Sequence, residues 1–421
     1  MIAVIVVLVA VMAWSALSRV LDRRGVTAAL FLAATGLVVG LVSPLSDIQL
    51  DIDVAERVAE IALVLLLFSD ATRLDLRALR HQLSWPTRLL LIGLPLTMLL
   101  GFGVGLIVFP GMALASVALL AVMLAPTDAA LGQKVVTDDS VPPRVRQALD
   151  VESGLNDGLS VPVFLVALSI ANAEIETGVA GAIAGSMAAQ IGWGLFAGVL
   201  AGLLGGALIR FADERNWITR AWRQVLPLAA ALLAFAVADE LGGSGFIAAF
   251  VGGIVFGRVA GPMRSVVTLL TEEVGELAAA VTWLAFGALA LVLALPLITW
   301  QVVLYAVLSL TVVRMIPVAI ALAGGGIRAP TIAFIGWFGP RGLASLVFVL
   351  IAASKGVPEQ EVVLTTVLVT VALSILLHGL TSVPLVARYH RWSAAMMAEH
   401  PSSAESVAAD MPRARRQLPR H

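Results

Sequence analysis

The chain contains no cysteine, which excludes disulfides, thiolate metal sites and thiol nucleophiles but does not decide the compartment. Charge is scarce as well. Asp, Glu, Lys and Arg make up 13% of the 421 residues, against about 25% in ordinary soluble proteins. A formal net charge of −1 argues neither for nor against nucleic acid, and no basic stretch interleaved with aromatics suggests one. Catalytic signatures are missing too: there is no HExxH element and no Ser/His constellation, so no enzymatic activity is expected. A repeated pore loop, which a channel would want, is also absent. The first apolar run, Ile2 to Leu17, has neither a basic leader nor a small-residue cleavage site. It reads as a retained first helix and not as a signal peptide.

What remains is apolar. Hydrophobic residues are 60% of the chain and glycine is abundant at 37 residues, as expected where helices approach closely in lipid. Windows of mostly apolar sequence recur along nearly the whole length, so the expected fold is an all-α polytopic membrane protein. Thirteen spans are predicted, at about 2–18, 25–43, 57–72, 88–109, 112–136, 146–171, 180–210, 224–240, 244–258, 268–295, 300–323, 330–354 and 361–387. Basic residues gather in alternate loops: Arg19, Arg23 and Arg24; Arg73, Arg77, Arg80 and Arg88; Lys134, Arg144 and Arg146; Arg210, Arg215, Arg220 and Arg223; Arg258 and Arg264; Arg328; Arg388 and Arg391. The opposite loops hold only Arg57 and Lys355, beside Asp47, Asp51, Asp53 and Glu56. The positive-inside rule then places the N-terminus outside and the C-terminus in the cytoplasm. Residues 1–388 form the expected transmembrane domain; 389–421, ending in Arg413, Arg415, Arg416 and Arg420, read as a short disordered cytoplasmic tail near anionic lipid.

An odd count permits two six-helix repeats of opposite orientation, about 1–172 and 224–388, joined by a linker helix at about 180–210. Such inverted repeats place the substrate near the midplane, where interrupted helices meet. Interruptions occur in matching places: Met123-Leu-Ala-Pro-Thr-Asp128 in the fifth span and Gly336-Trp-Phe-Gly-Pro-Arg-Gly342 in the twelfth. The halves show no residue-level similarity, so the repeat is a topological expectation.

The ionisable residues deep in the spans are few: Asp70, Asp128, Glu152, Asp157, Arg314 and Arg341. Each costs about 2.5–3.5 kcal/mol at mid-bilayer, so each wants a function or a partner. Glu152 and Asn156 are four residues apart, as are Ser153 and Asp157, which puts all four on one side of the sixth helix. Oxygen-rich donors of this kind suit protons and hard cations. Asp157 is the leading candidate for function. Asp128, after Pro126, could also cap its own restarted half-helix. Glu152 and Arg341, oppositely charged and alike in depth, are expected to pair. Asp70 lies near a basic loop and divides evenly between a site role and a membrane-edge role. Arg314, ahead of Pro317, is expected to pack or pair. His81 is a weak candidate, and His378 reads as a satisfied packing residue. Glu272, Glu273 and Glu276 suit the start of the tenth helix.

At Ala125-Pro-Thr-Asp128, Glu152-Ser-Gly-Leu-Asn-Asp157 and Gly339-Pro-Arg-Gly342 the chain resembles the NhaP/NHE-like monovalent cation/proton antiporters. The spacing of these motifs carries the resemblance over nearly all but the tail. It implies a homodimer, with a dimerisation bundle and a core in which the fifth and twelfth helices cross. It implies that Asp157 is shared between proton and cation, and that Asp128, Ser153 and the Thr127 carbonyl complete the cation site. Asn156 would organise the site and Glu152 would pair with Arg341. Where relatives have proline after Thr-Asp, this chain has Ala129, so the break depends on Pro126. Relatives with Asp-Asp in place of Asn-Asp tend to be electrogenic, so Asn156 implies electroneutral exchange.

The expected activity is therefore exchange of Na+, or Li+, for H+ across the cell membrane, with no cofactor beyond the transported ions. A K+/H+ antiporter would use the same residues. A sodium-coupled organic-anion symporter would want more polar residues beyond the crossing. An intramembrane protease could be built on Asp128 and Asp157, but Arg341 and the Leu159-Ser-Val-Pro-Val-Phe run fit transport better.

Overall fold

The computed structural model describes residues 2–42, 52–73, 84–128, 131–175, 180–261, 267–400 and 404–405. Among these there is no strand; the protein is all-α. Helices α1 (Ile2–Arg23), α2 (Ala28–Val42) and α3 (Ile52–Thr72) open the chain. In α4, Ser84–Arg88 and Leu94–Val108 are joined by a π-helical turn at Leu89–Gly93. Helix α5 is in two pieces, α5a (Leu114–Met123) and α5b (Gln133–Thr137). Then come α6 (Pro143–Ile175), α7 (Ala180–Glu214), α8 (Arg220–Glu240), α9 (Gly245–Ala260) and α10 (Leu269–Ala285, continued by a π-helical stretch at Phe286–Leu291). Helix α11 is kinked between Trp300–Leu310 and Val312–Leu322, and α12 is again in two pieces, α12a (Ala329–Trp337) and α12b (Leu343–Lys355). The last helix, α13, runs Gln360–Glu399.

Eight of these helices are long and apolar enough to cross a membrane, fewer than the thirteen spans expected. Four more, α2, α5a, α9 and α12b, are apolar but short. Two of the short ones are halves of the interrupted helices, which is why length alone undercounts them. Helix α13 also outruns its expected end, because Val386, Tyr389, Ser393 and Met396 keep one face buried at helical spacing. Beyond it the tail is not wholly loose. The Ala404 carbonyl accepts from Arg144 at 2.9 Å, and the Glu405 carboxylate accepts from the Arg328 amide at 3.0 Å and from Thr331 Oγ1 at 3.1 Å. His81, Ala129 and Arg413 to Arg420 lie outside the described residues.

Two compact units divide the chain, one of Met1–Glu60, Ser84–Val179 and Ala278–Val407, the other of Ile61–Leu83, Ala180–Leu277 and Ala408–His421. In the first, α2 lies so close to the π-helical part of α10 that a side chain on Gly36 would overlap the Leu284 carbonyl, and one on Gly287 the Ala33 carbonyl. The two tyrosines of the chain both serve this unit. Tyr305 donates to the Gly101 carbonyl of α4 at 3.1 Å, and Tyr389 bonds Thr331 of α12a at 3.0 Å while stacking on Phe334. In the second unit, Gly194, Gly198, Gly202 and Gly206 recur every four residues along α7 and face the backbone or side chains of the loop and helix α9. Gly253 and Gly257 do the same for α9 against α3, at the Phe68 and Thr72 carbonyls. These stripes let helices touch backbone to backbone, the packing expected where no hydrophobic force separates protein from lipid.

Candidate cation site

Every predicted site residue except Asp70 lies in the first unit. The site begins with two prolines. Pro126 has no N–H to continue α5a and disfavours helical backbone at Ala125, so the helix stops at Met123 and the chain runs on unwound to Asp128. Pro340 does the same after Trp337, leaving 338–342 unwound before α12b.

The two unwound segments hold each other. The Asp128 amide donates to the Pro340 carbonyl at 2.8 Å. The Asp128 carboxylate accepts from the Leu131 amide at 3.2 Å on one oxygen and from the Leu343 amide at 2.8 Å on the other. One side chain thus holds the turn ahead of α5b, whose N-cap is Gly132 and not Asp128 as expected, and also caps the N-terminus of α12b. Negative charge belongs at the latter, because helix N-termini carry unsatisfied N–H groups and the positive end of the dipole. Arg341 returns the favour. Its guanidinium donates to the carbonyls of Ala125 at 2.7 Å and Pro126 at 3.2 Å, just past the negative end of α5a. Ser345 Oγ adds a bond to the Met123 carbonyl at 2.7 Å.

This arrangement corrects one expectation. Glu152 is bonded not to Arg341, whose Nη1 turns instead to those two carbonyls. Its partner is Arg314 of α11, in a two-pronged ion pair with contacts of 2.5 and 2.8 Å. Both side chains are about 4% exposed. Room for the guanidinium comes from Gly339, where any side chain would overlap Arg314, and room for the Asp128 carboxylate comes from Gly342 in the same way. Gly342→Ala is accordingly expected to cost about 1–3 kcal/mol, the usual penalty for forcing atoms into a packed interior. A thermal melt of the purified variant in detergent checks it; an unchanged melting temperature would show that the crossing can shift freely.

On α6, Asn156 Nδ2 donates to Thr127 Oγ1 at 2.6 Å, and Thr127 Oγ1 lies 3.1 Å from Ser153 Oγ. The unwound part of α5 is therefore tied to the polar face of α6 through three buried side chains. Asp157, one turn on from Ser153, differs from its neighbours: Glu152, Ser153 and Asn156 are buried, whereas Asp157 is half-buried. It is the least buried carboxylate of this group. Asp70 belongs to the second unit, where it lies 3.9 Å from Arg73, which also pairs with Glu272. The roles of Ser345 and Ser374 were not apparent from sequence, because a serine in an apolar helix gives no signal of which distant backbone group it will meet.

The sequence pattern of the transmembrane sodium/hydrogen exchangers matches residues 5–388. Two solved structures of the sodium proton antiporter MjNhaP1 from Methanocaldococcus jannaschii are similar in fold. The one at pH 8 has a TM-score of 0.73 at 18% identity, covering 90% of this chain and 99% of that one. The other, from electron microscopy, has a TM-score of 0.69 at 18% identity, covering 92% and 97%. With a match across nearly the whole length, this chain belongs to the sodium/hydrogen exchanger family.

Proposed function

We propose that the protein exchanges one Na+ (or Li+) for one H+ across the cell membrane by competition of the two for Asp157 under alternating access. The carrying observation is a charge tally. The carboxylates of Asp128, Glu152 and Asp157 stand against the guanidiniums of Arg314 and Arg341. One negative charge is left over, and one proton or one monovalent cation cancels it. A site that crosses hydrocarbon must be near neutral, because a net charge there is costly. Either ion therefore licenses the crossing and the empty site does not, which couples the two fluxes without a separate gate.

The surroundings fit these roles. A dehydrated cation needs oxygen donors, and Ser153, Thr127 and Asp128 supply them beside Asp157. Each Asp128 oxygen has two lone-pair directions, so a carboxylate that accepts these amides can also face an ion. Asn156 holds Thr127 in place and adds no charge of its own. No cofactor is required. The basic loops favour an outside N-terminus and a cytoplasmic C-terminus, and a homodimer is the assembly we expect from the family resemblance.

The test uses wild-type protein in proteoliposomes with a trapped pH dye, adding sodium, lithium and potassium separately at zero and at imposed membrane potential. Sodium- and lithium-driven proton movement with no dependence on potential is expected. A response to potassium alone would keep the mechanism and change the ion. A potential generated by a sodium gradient would overturn the one-for-one stoichiometry.

A further inference from the structure

We propose that His378 is a positioning residue for this exchange: from α13 it fixes the register of the unwound segment of α12, and through that segment the placement of Asp128. The inference rests on the exchange reading above and deepens it. His378 is buried, and by sequence it is an ordinary packing histidine. Its contacts are more specific than packing requires. Nε2 lies 2.8 Å from the carbonyl of Trp337, the last residue of α12a, an oxygen past the reach of helical donors that also accepts from the Gly339 amide at 2.9 Å. The imidazole also stacks on the Trp337 indole, with centroids 5.1 Å apart, and the indole N–H donates to Thr381 of α13 at 3.0 Å.

The other ring nitrogen faces Ser374, one turn back. Nδ1 lies 2.8 Å from the Ser374 carbonyl and 3.3 Å from its hydroxyl. That hydroxyl oxygen in turn accepts the Arg341 amide at 2.7 Å. Residues 374–381 of α13 therefore grip 338–342 from both sides, at the Trp337 carbonyl and indole upstream and at the Arg341 amide downstream. Between and beside these anchors the same segment offers the Pro340 carbonyl to the Asp128 amide and the Leu343 amide to the Asp128 carboxylate. His378 touches no group of the cation site itself. It acts through α12.

A packing role needs only volume and a flat face, which phenylalanine supplies. A positioning role needs an N–H aimed at the Trp337 carbonyl, and glutamine has one at similar reach. Initial exchange rates are measured against sodium concentration in proteoliposomes for wild type, His378→Phe, His378→Gln and Ser374→Ala, each shown monodisperse in detergent. His378→Phe is expected to raise the apparent sodium KM about fivefold, the scale for losing one buried hydrogen bond, with a much smaller change in maximal rate. His378→Gln is expected to stay within about twofold of wild type on the same scale. Ser374→Ala, which orphans the Arg341 amide, is expected to follow the phenylalanine variant and serves in its place if that one does not fold. Wild-type KM in both His378→Phe and Ser374→Ala would overturn the proposal, as would a glutamine variant as impaired as the phenylalanine one. Absence of any cation-driven flux in wild type would instead sink the exchange reading on which it rests.

Discussion

Replacing Asp157 by asparagine is expected to abolish cation-driven proton movement while leaving the protein folded. The amide has the shape of the carboxylate but can neither release nor accept a proton in the working pH range, so the competition that couples the fluxes disappears. Charge gives a second, independent reason. Without Asp157 the remaining carboxylates of Asp128 and Glu152 balance the guanidiniums of Arg314 and Arg341, and an entering cation makes the set net positive. A net charge at mid-bilayer costs about 2.5–3.5 kcal/mol. At about 1.4 kcal/mol per tenfold, that is roughly a hundredfold loss of cation occupancy in the crossing state. Stability should hold or rise slightly, since an amide is cheaper to place in a half-buried position than a carboxylate. Dye dequenching at matched reconstitution, together with a thermal melt, reads both effects. Sodium-driven flux that survives in the folded variant would place the carrier carboxylate elsewhere.

Much of this site could be read before any coordinates. Pro126 and Pro340 announce the two breaks, because a residue without an N–H cannot continue a helix and alters the residue before it. The polar face of α6 follows from a four-residue period, and Thr127, Ser153 and Asn156 do come together there. What could not be read is partner choice over long separations. Two buried arginines competed for Glu152, and sequence favoured Arg341 because the two are oppositely charged and alike in depth. The carbonyls at the end of α5a decide otherwise, and they are invisible in sequence because every residue has one. The same holds for Asp128: its first amide, at Leu131, lies three residues away, but its second, at Leu343, belongs to a helix met only after folding. The described part of the tail, 389–400 and 404–405, is hard to read for a different reason. A composition of small and charged residues suggests disorder, and single buried contacts such as that of Glu405 leave no periodic trace.

The reassigned ion pair carries the second large expectation. Arg314→Met leaves Glu152 buried without its bonded counter-charge, and breaking a buried pair from one side costs about 3–5 kcal/mol. Glu152→Gln strands Arg314 and is expected to cost a similar amount. The double variant Glu152→Leu/Arg314→Met removes both charges and is expected to recover most of the loss, because two apolar side chains have no desolvation cost to offset. The net charge of the site is unchanged by the double variant, so exchange is expected to survive in it at a reduced rate, which separates a scaffold pair from a transport group. A double-mutant cycle on melting free energies assigns the partner directly. Glu152 and Arg314 should couple by about 2 kcal/mol or more, within the range for residues in direct contact. Glu152 and Arg341 should couple by much less, since the Arg341 guanidinium is bound to Ala125 and Pro126. If the larger coupling fell on Arg341, the ion pair at the core of the crossing would have to be redrawn. Gly339, whose bare Cα makes space for Arg314, would then lose the role given to it here.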